Sequence, residues 1–185
     1  MHVIVVFPYF KEGQGGLYSF ISEFIKAASK RQCKVSVVCA YGYGSDTMPE
    51  GVTVYRVPIL HSRFLRRVIE YSSFGKHSRL VVKNLLRIDP SAKVLSITFG
   101  GAGLKGLPYV HRVSSGPIEL EWKMWTQLNV HNPLKLALIR FDFLLQELIE
   151  RRIVSNTRAL LAHTKTLSDS FQQKYGVNVP VHVPC

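Results

Sequence analysis

The sequence predicts an α/β fold, a doubly wound and mostly parallel sheet of about seven strands with helices on both faces. Three observations carry that expectation. Short apolar runs with the length and β-branched content of strands alternate with longer amphipathic stretches along the whole chain. The first such pair is joined by a polar turn, Lys11-Glu12-Gly13-Gln14-Gly15-Gly16. With 185 residues, 46% hydrophobic and 19% charged, the chain suffices for one domain with a substantial core and is short for two. Strands that alternate with helices run parallel, because each helix returns the chain to the starting edge of the sheet.

The first strand is the run His2-Val3-Ile4-Val5-Val6-Phe7, and the amphipathic stretch Leu17 to Arg31 is the first helix. Lys34-Val35-Ser36-Val37-Val38 is the second strand, followed by a turn-rich loop from Tyr41 to Asp46. Val52 to Val57 alternates as a third strand. His61 to Asp89 reads as helix, broken near Ser72-Ser73 and Gly75 and stopped by Asp89-Pro90. Lys93 to Phe99 is the fourth strand, and Gly100-Gly101-Ala102-Gly103 leaves room for only a short helical turn. Pro108 to Val113 is the fifth strand, ending in Ser114-Ser115-Gly116-Pro117.

Glu119 to Val130 and Pro133 to Ser155 are two further helices. Leu134, Leu138, Phe141, Leu145, Leu148 and Arg152 recur at helical spacing, so the second reads as a packed helix. Arg158 to Ala162 is the sixth strand, Thr166 to Tyr175 a helix closed by Gly176, and Val179 to Pro184 the seventh strand. One more helix would ordinarily cover such a sheet.

The formal net charge of +12 admits a solvated basic surface, an anionic ligand or an anionic membrane surface. Nucleic acid fits least, since the Lys and Arg residues are scattered and no zinc-finger spacing, aromatic RNA-binding signature or basic tail is present. Cys33, Cys39 and Cys185 form no C-x-x-C pair, and an odd count argues for a reducing, cytoplasmic compartment. No segment reaches the roughly 18 uninterrupted apolar residues of a membrane span. Met1-His2 supplies no cationic signal-peptide region, and Pro8 stops the apolar run. No cluster of His, Cys, Asp and Glu has metal-ligand spacing, so neither a metal nor a cofactor is expected.

Three groups of residues are candidates for a site. Gly15-Gly16 cannot belong to a dinucleotide fingerprint, because Tyr18 stands where the third glycine is needed and Cys39-Ala40-Tyr41 supplies no acid for a ribose. The glycine turn before a helix serves either as a plain tight turn or as a place where backbone N–H groups meet phosphate. His111 and Arg112, with Ser114-Ser115-Gly116, sit at the end of the fifth strand and share the crevice of the first loop. The alternative makes His111 a sheet residue and Arg112 a surface ion-pair partner. Arg63, Arg66 and Arg67 lie opposite Leu65, Val68 and Ile69. That segment is either a core-facing helix with a solvated basic side or an interfacial helix drawn to anionic lipid. No nucleophile elbow or Ser-His-Asp order marks a hydrolase.

These residues together resemble the N-terminal, acceptor-side half of a GT-B retaining glycosyltransferase, of the large nucleotide-sugar-dependent group 1 (family 4) type. Val3 to Gly16 with Leu17-Tyr18-Ser19-Phe20 is similar to that family's first strand, glycine loop and first helix. Leu107-Pro108-Tyr109-Val110-His111-Arg112-Val113 with Gly116-Pro117 is similar to its strand leading into the acceptor cleft. Arg158 to Gly176 with Val181-His182-Val183-Pro184-Cys185 resembles the end of its first domain. The resemblance implies one Rossmann-like domain over 1–185, inactive alone, whose partner is a donor-binding domain in cis or on a separate chain. It further implies sugar transfer from a nucleotide-diphosphate sugar to a lipid, glycan or small-molecule acceptor. Gly15 and Gly16 would face the donor diphosphate, and His111, Arg112, Ser114, Ser115 and Gly116 the acceptor. Many members carry histidine where Ser114 stands, and a serine cannot act as an imidazole does. Two rival readings are a non-catalytic membrane- or partner-binding subunit of a split glycosyltransferase, and another doubly wound enzyme that uses a phosphorylated ligand.

Overall fold

The computed structural model describes residues 1–9, 15–42, 51–61, 65–127 and 133–181. Six strands, β1 (His2–Val6), β2 (Lys34–Ala40), β3 (Val52–Val57), β4 (Lys93–Ile97), β5 (Val110–Arg112) and β6 (Ala159–Leu161), form one sheet. Their order is β3-β2-β1-β4-β5-β6, and every neighbouring pair is parallel. Among the described residues the count is six and not seven. Of the expected strand from Val179 to Pro184, only a parallel bridge between Ala162 and Val181 forms, and residues 182–185 lie outside the described ones. Pro180 has no N–H to extend the ladder; its carbonyl accepts from the Ala162 amide at 3.1 Å.

Side chains of alternate strand residues leave the sheet on opposite faces, and each face is closed by helices. On one face Val3, Val5, Val35, Val37 and Ile97 pack against Ile21 and Ile25 of α1 (Gly15–Lys30). On the other, Ile4, Val6, Val38 and Val94 pack against Phe74, Val82 and Leu85 of α2 (Arg66–Ile88) and Ile153 of α4 (Pro133–Asn156). The central strands are buried on both sides, which explains why they read as unbroken β-branched runs. A third cluster, including Val154, Leu160, Leu167 and Phe171, seats α5 (Lys165–Tyr175) beside α4. Thr164 caps α5 by accepting from the Leu167 amide at 3.2 Å, and Gly176 closes it in the left-handed region.

Two expectations are corrected. α2 runs through Ser72, Ser73 and Gly75 without a break. Gly75 is there for close approach: a Cβ on Gly103 would lie 1.8 Å from the Gly75 carbonyl oxygen, and one on Gly75 would lie 2.7 Å from the Gly103 amide nitrogen. The second concerns α4, preceded by α3 (Ile118–Gln127). Its apolar line faces outward, with Leu134 70% and Leu148 61% exposed, while Phe143, Gln146 and Ile153 turn inward. A period of 3.6 fixes which residues share a face but not which face meets the core. Among the described residues no helix is long and apolar enough to cross a membrane.

Candidate functional site

Strand order reverses between β1 and β4, so the chain leaves these neighbours in opposite directions and opens a crevice at the carboxyl edge. A cavity of about 580 Å³ occupies that edge. Phe7 and Tyr9 follow β1 into it, Thr98 and Phe99 follow β4, and His111, Val113, Ser114 and Ser115 come from β5 and its exit. α2 contributes Arg67, Glu70 and Tyr71, and α4 contributes Gln146 and Glu150.

The wall formed by β1, β4 and α2 is aromatic. Tyr71 stacks on Phe99 with ring centroids 4.0 Å apart and planes within 6°, and Tyr9 meets Tyr71 edge-on at 6.0 Å. Tyr9 is held there by its hydroxyl, which donates to the buried Glu70 carboxylate at 2.5 Å. The other Glu70 oxygen lies 2.9 Å from His61 Nδ1. Thr98 begins the turn after β4 with φ of 52°, a left-handed backbone that a β-branched residue rarely adopts, and such strain concentrates at functional sites.

The opposite wall is polar. His111 Nδ1 lies 2.7 Å from Ser96 Oγ, and burial drives the imidazole pKa down to about 3. The ring is therefore neutral at pH 7, with Nε2 as its remaining polar atom. Burial pushes the Glu150 carboxyl upward, opposed by hydrogen bonds from the Tyr175 hydroxyl and the Ile118 amide and by the Lys174 ammonium 3.8 Å away. Gln146 is fully buried; its amide donates to Asp142 at 2.7 Å, while its carbonyl oxygen has no partner among the described residues.

Of the residues singled out from the sequence, His111, Ser114, Ser115 and Arg67 converge on this cavity. Arg112 leaves β5 on the other face: its guanidinium sits 3.7 Å from the Phe20 ring centroid of α1, and burial lowers its pKa. One of its nitrogens, Nη1, is buried without a hydrogen-bond partner among the described residues. Gly116 does not line the cavity and abuts Leu120. Gly15 and Gly16 form the start of α1, Arg63 falls outside the described residues, and the Arg66 side chain is not among those described. Sequence reasoning missed Tyr9, Glu70, Tyr71, Phe99, Gln146 and Glu150, because they come from four separate segments. One signal was available: Glu70 is the lone carboxylate in the basic stretch 61–88.

An open parallel sheet with helices on both faces and an aromatic-walled cavity at its carboxyl edge defines an α/β domain of the Rossmann-like class, with the cavity as its candidate ligand site. More particularly, the chain has the fold of one half of a GT-B glycosyltransferase. It matches apo UGT2 of Phytolacca americana at a TM-score of 0.61 and 16% identity, over 98% of this chain and 50% of that one. It matches WaaG, a glycosyltransferase involved in lipopolysaccharide biosynthesis, at a TM-score of 0.61 and 15% identity, over 96% of this chain and 42% of that one. MurG of Acinetobacter baumannii aligns at a TM-score of 0.50 and 11% identity, over 98% of this chain and 44% of that one. The chain thus spans about half the length of the solved structures it matches. No protein-family model and no curated protein matches the sequence.

Proposed function

We propose that this chain is the acceptor-side half of a retaining, nucleotide-sugar-dependent glycosyltransferase. The observation that carries the reading is the 580 Å³ cavity at the carboxyl edge, beside the strand-order reversal, in a fold shared with halves of glycosyltransferases. A donor-binding half, in cis or as a separate chain, closes over this edge and presents a nucleotide-diphosphate sugar. Helix α1 begins at Gly15 and turns its first backbone N–H groups toward the donor diphosphate, with Gly15 and Gly16 leaving the approach open. Fixed dipoles of this kind stabilise the leaving diphosphate electrostatically.

The acceptor lies in the cavity against Tyr9, Tyr71 and Phe99, whose faces suit a sugar ring or an apolar aglycone. His111, Ser114 and Ser115 meet its polar groups, His111 as a neutral imidazole. Glu70 is a positioning residue that holds Tyr9 in the wall. The net charge of +12 supports a peripheral place on the anionic, cytoplasmic face of a membrane.

Sugar transfer measured with the donor-binding half present tests this reading, using a panel of nucleotide-diphosphate sugars. Glu70→Gln leaves one acceptor atom where Tyr9 and His61 now share two. It should raise the acceptor KM by about tenfold, corresponding to one lost hydrogen bond to a charged group, with the donor KM unchanged. A donor KM that rises instead would move the cavity to the donor side, and no transfer from any donor would overturn the reading.

A further inference from the structure

Two surface features outside the cleft meet on α4. The first is the outward apolar line Leu134, Leu138, Phe141, Leu144 and Leu148, all exposed. At 1.5 Å per residue it runs for about 21 Å along the helix. The second is a cavity of about 600 Å³ between α2, α4 and the loop after the 3₁₀ turn Thr98–Gly101. Its charged lining is Lys76, Arg79, Lys105 and Arg152, with no carboxylate among the described residues. Arg79 donates to the carbonyl oxygens of Gly103, at 3.0 Å, and Lys105, which fixes its guanidinium in the wall. Like charges around one cavity repel, and an anion placed among them relieves the repulsion.

The two features are continuous. Arg152 stands four residues beyond Leu148, so a single turn of the same helix face leads from apolar to basic surface. Leu80, also exposed, stands one turn beyond Lys76 on α2.

We propose that this surface seats the protein on an anionic phospholipid bilayer, with the α4 line in the acyl boundary and a lipid phosphate in the α2–α4 cavity. A free phosphate would use the cavity and leave the apolar line in water. An apolar protein partner would cover the line and leave four cations unmatched. A bilayer bearing anionic headgroups supplies apolar depth and negative charge side by side, and it complements the chain's +12. The inference rests on the peripheral membrane position proposed above and is independent of sugar transfer. It assigns the contact to α4 and the cavity beside it, whereas Arg67 lines the cleft.

Co-sedimentation of the 185-residue chain with phosphatidylcholine vesicles, and with vesicles that also contain phosphatidylglycerol, tests it. Binding should favour the anionic vesicles. It should fall by more than about tenfold in Lys76→Glu/Lys105→Glu/Arg152→Glu, and also in Leu138→Ser/Phe141→Ser. These side chains are exposed, and unchanged circular dichroism and melting temperature verify the fold of each variant. Binding that persists in both variants overturns the surface assignment while leaving the membrane position standing. Absence of binding to either vesicle overturns both. Two further results also overturn the proposal: inorganic phosphate bound in the cavity without vesicle binding, and light scattering that shows a dimer which Leu138→Ser/Phe141→Ser dissociates.

Discussion

At the residue scale, burial decides the chemistry of the cleft. His111 Nδ1 has a short partner in Ser96 Oγ at 2.7 Å, and among the described residues no carboxylate pairs with the ring to stabilise an imidazolium. Its folded pKa of about 3 lies below the ordinary value of 6.5, so within that window the unfolded chain binds a proton that the folded chain refuses. Stability contributed by the neutral ring is complete above pH 6.5 and is lost as the pH falls, at about 1.4 kcal/mol per pH unit. His111→Asn retains a polar partner for Ser96 and does not titrate, so urea midpoints at pH 7 and pH 5 should differ less in the variant than in the parent. A residual slope of the same sign remains from His2, which burial and the neighbouring Lys34 also hold below its ordinary value. An unchanged slope would mean that His111 is not the buried titrating group. The sequence placed His111 at the cleft through its position at the end of a strand, but its neutrality depends on Ser96 and the burying layers, which local pattern does not contain.

At the level of elements, the same division between local and distant causes explains what was legible. β3 is found at its read boundaries, Val52 to Val57, because alternation over six residues is a local property. The reading of Gly75 as a break failed because its reason lies 28 positions away in sequence, at Gly103. The α4 stripe was legible as a stripe and illegible as to side, since the buried face is recruited by Phe143, Gln146 and Ile153 instead. The aromatic wall escaped for a related reason: Tyr9, Tyr71 and Phe99 become neighbours only once the β1–β4 pairing and the docking of α2 exist. The Gly75–Gly103 contact yields a direct test. Gly103→Ala puts a methyl group 1.8 Å from a backbone oxygen, and no rotamer change can relieve that. It should destabilise the chain by about 3 kcal/mol, the upper range for overpacking. Gly106→Ala meets open space, and its φ of 77° should cost only about 1–2 kcal/mol. Thermal unfolding of the two variants ranks them, and equal midpoints would show that α2 stands off the loop in solution.

For the whole molecule, the proposed reading makes the sheet one edge of a site whose diphosphate meets, among the described residues, chiefly the start of α1. The start of α1 offers backbone N–H groups, and such a helix dipole contributes about 0.3–1 kcal/mol to an exposed anion. Micromolar affinity requires roughly 8 kcal/mol. In the proposed reading Tyr9, Tyr71 and Phe99 stack on the acceptor, and the Arg112 guanidinium lies against the Phe20 ring of α1, 3.7 Å from its centroid. The chain alone should therefore bind nucleotide-diphosphate sugars weaker than micromolar and transfer no sugar. Supplying the donor-binding half, fused or in trans, should restore both. Gly16→Val should then lower turnover, because a branched side chain in the first turn of α1 occupies the approach to the diphosphate, whereas Val is tolerated there by the helix itself. Calorimetry with the 185-residue chain decides the matter. Micromolar nucleotide-sugar affinity in the absence of a second domain, or measurable transfer by the purified chain, would show that the donor site is complete within this sheet and would overturn the half-site reading.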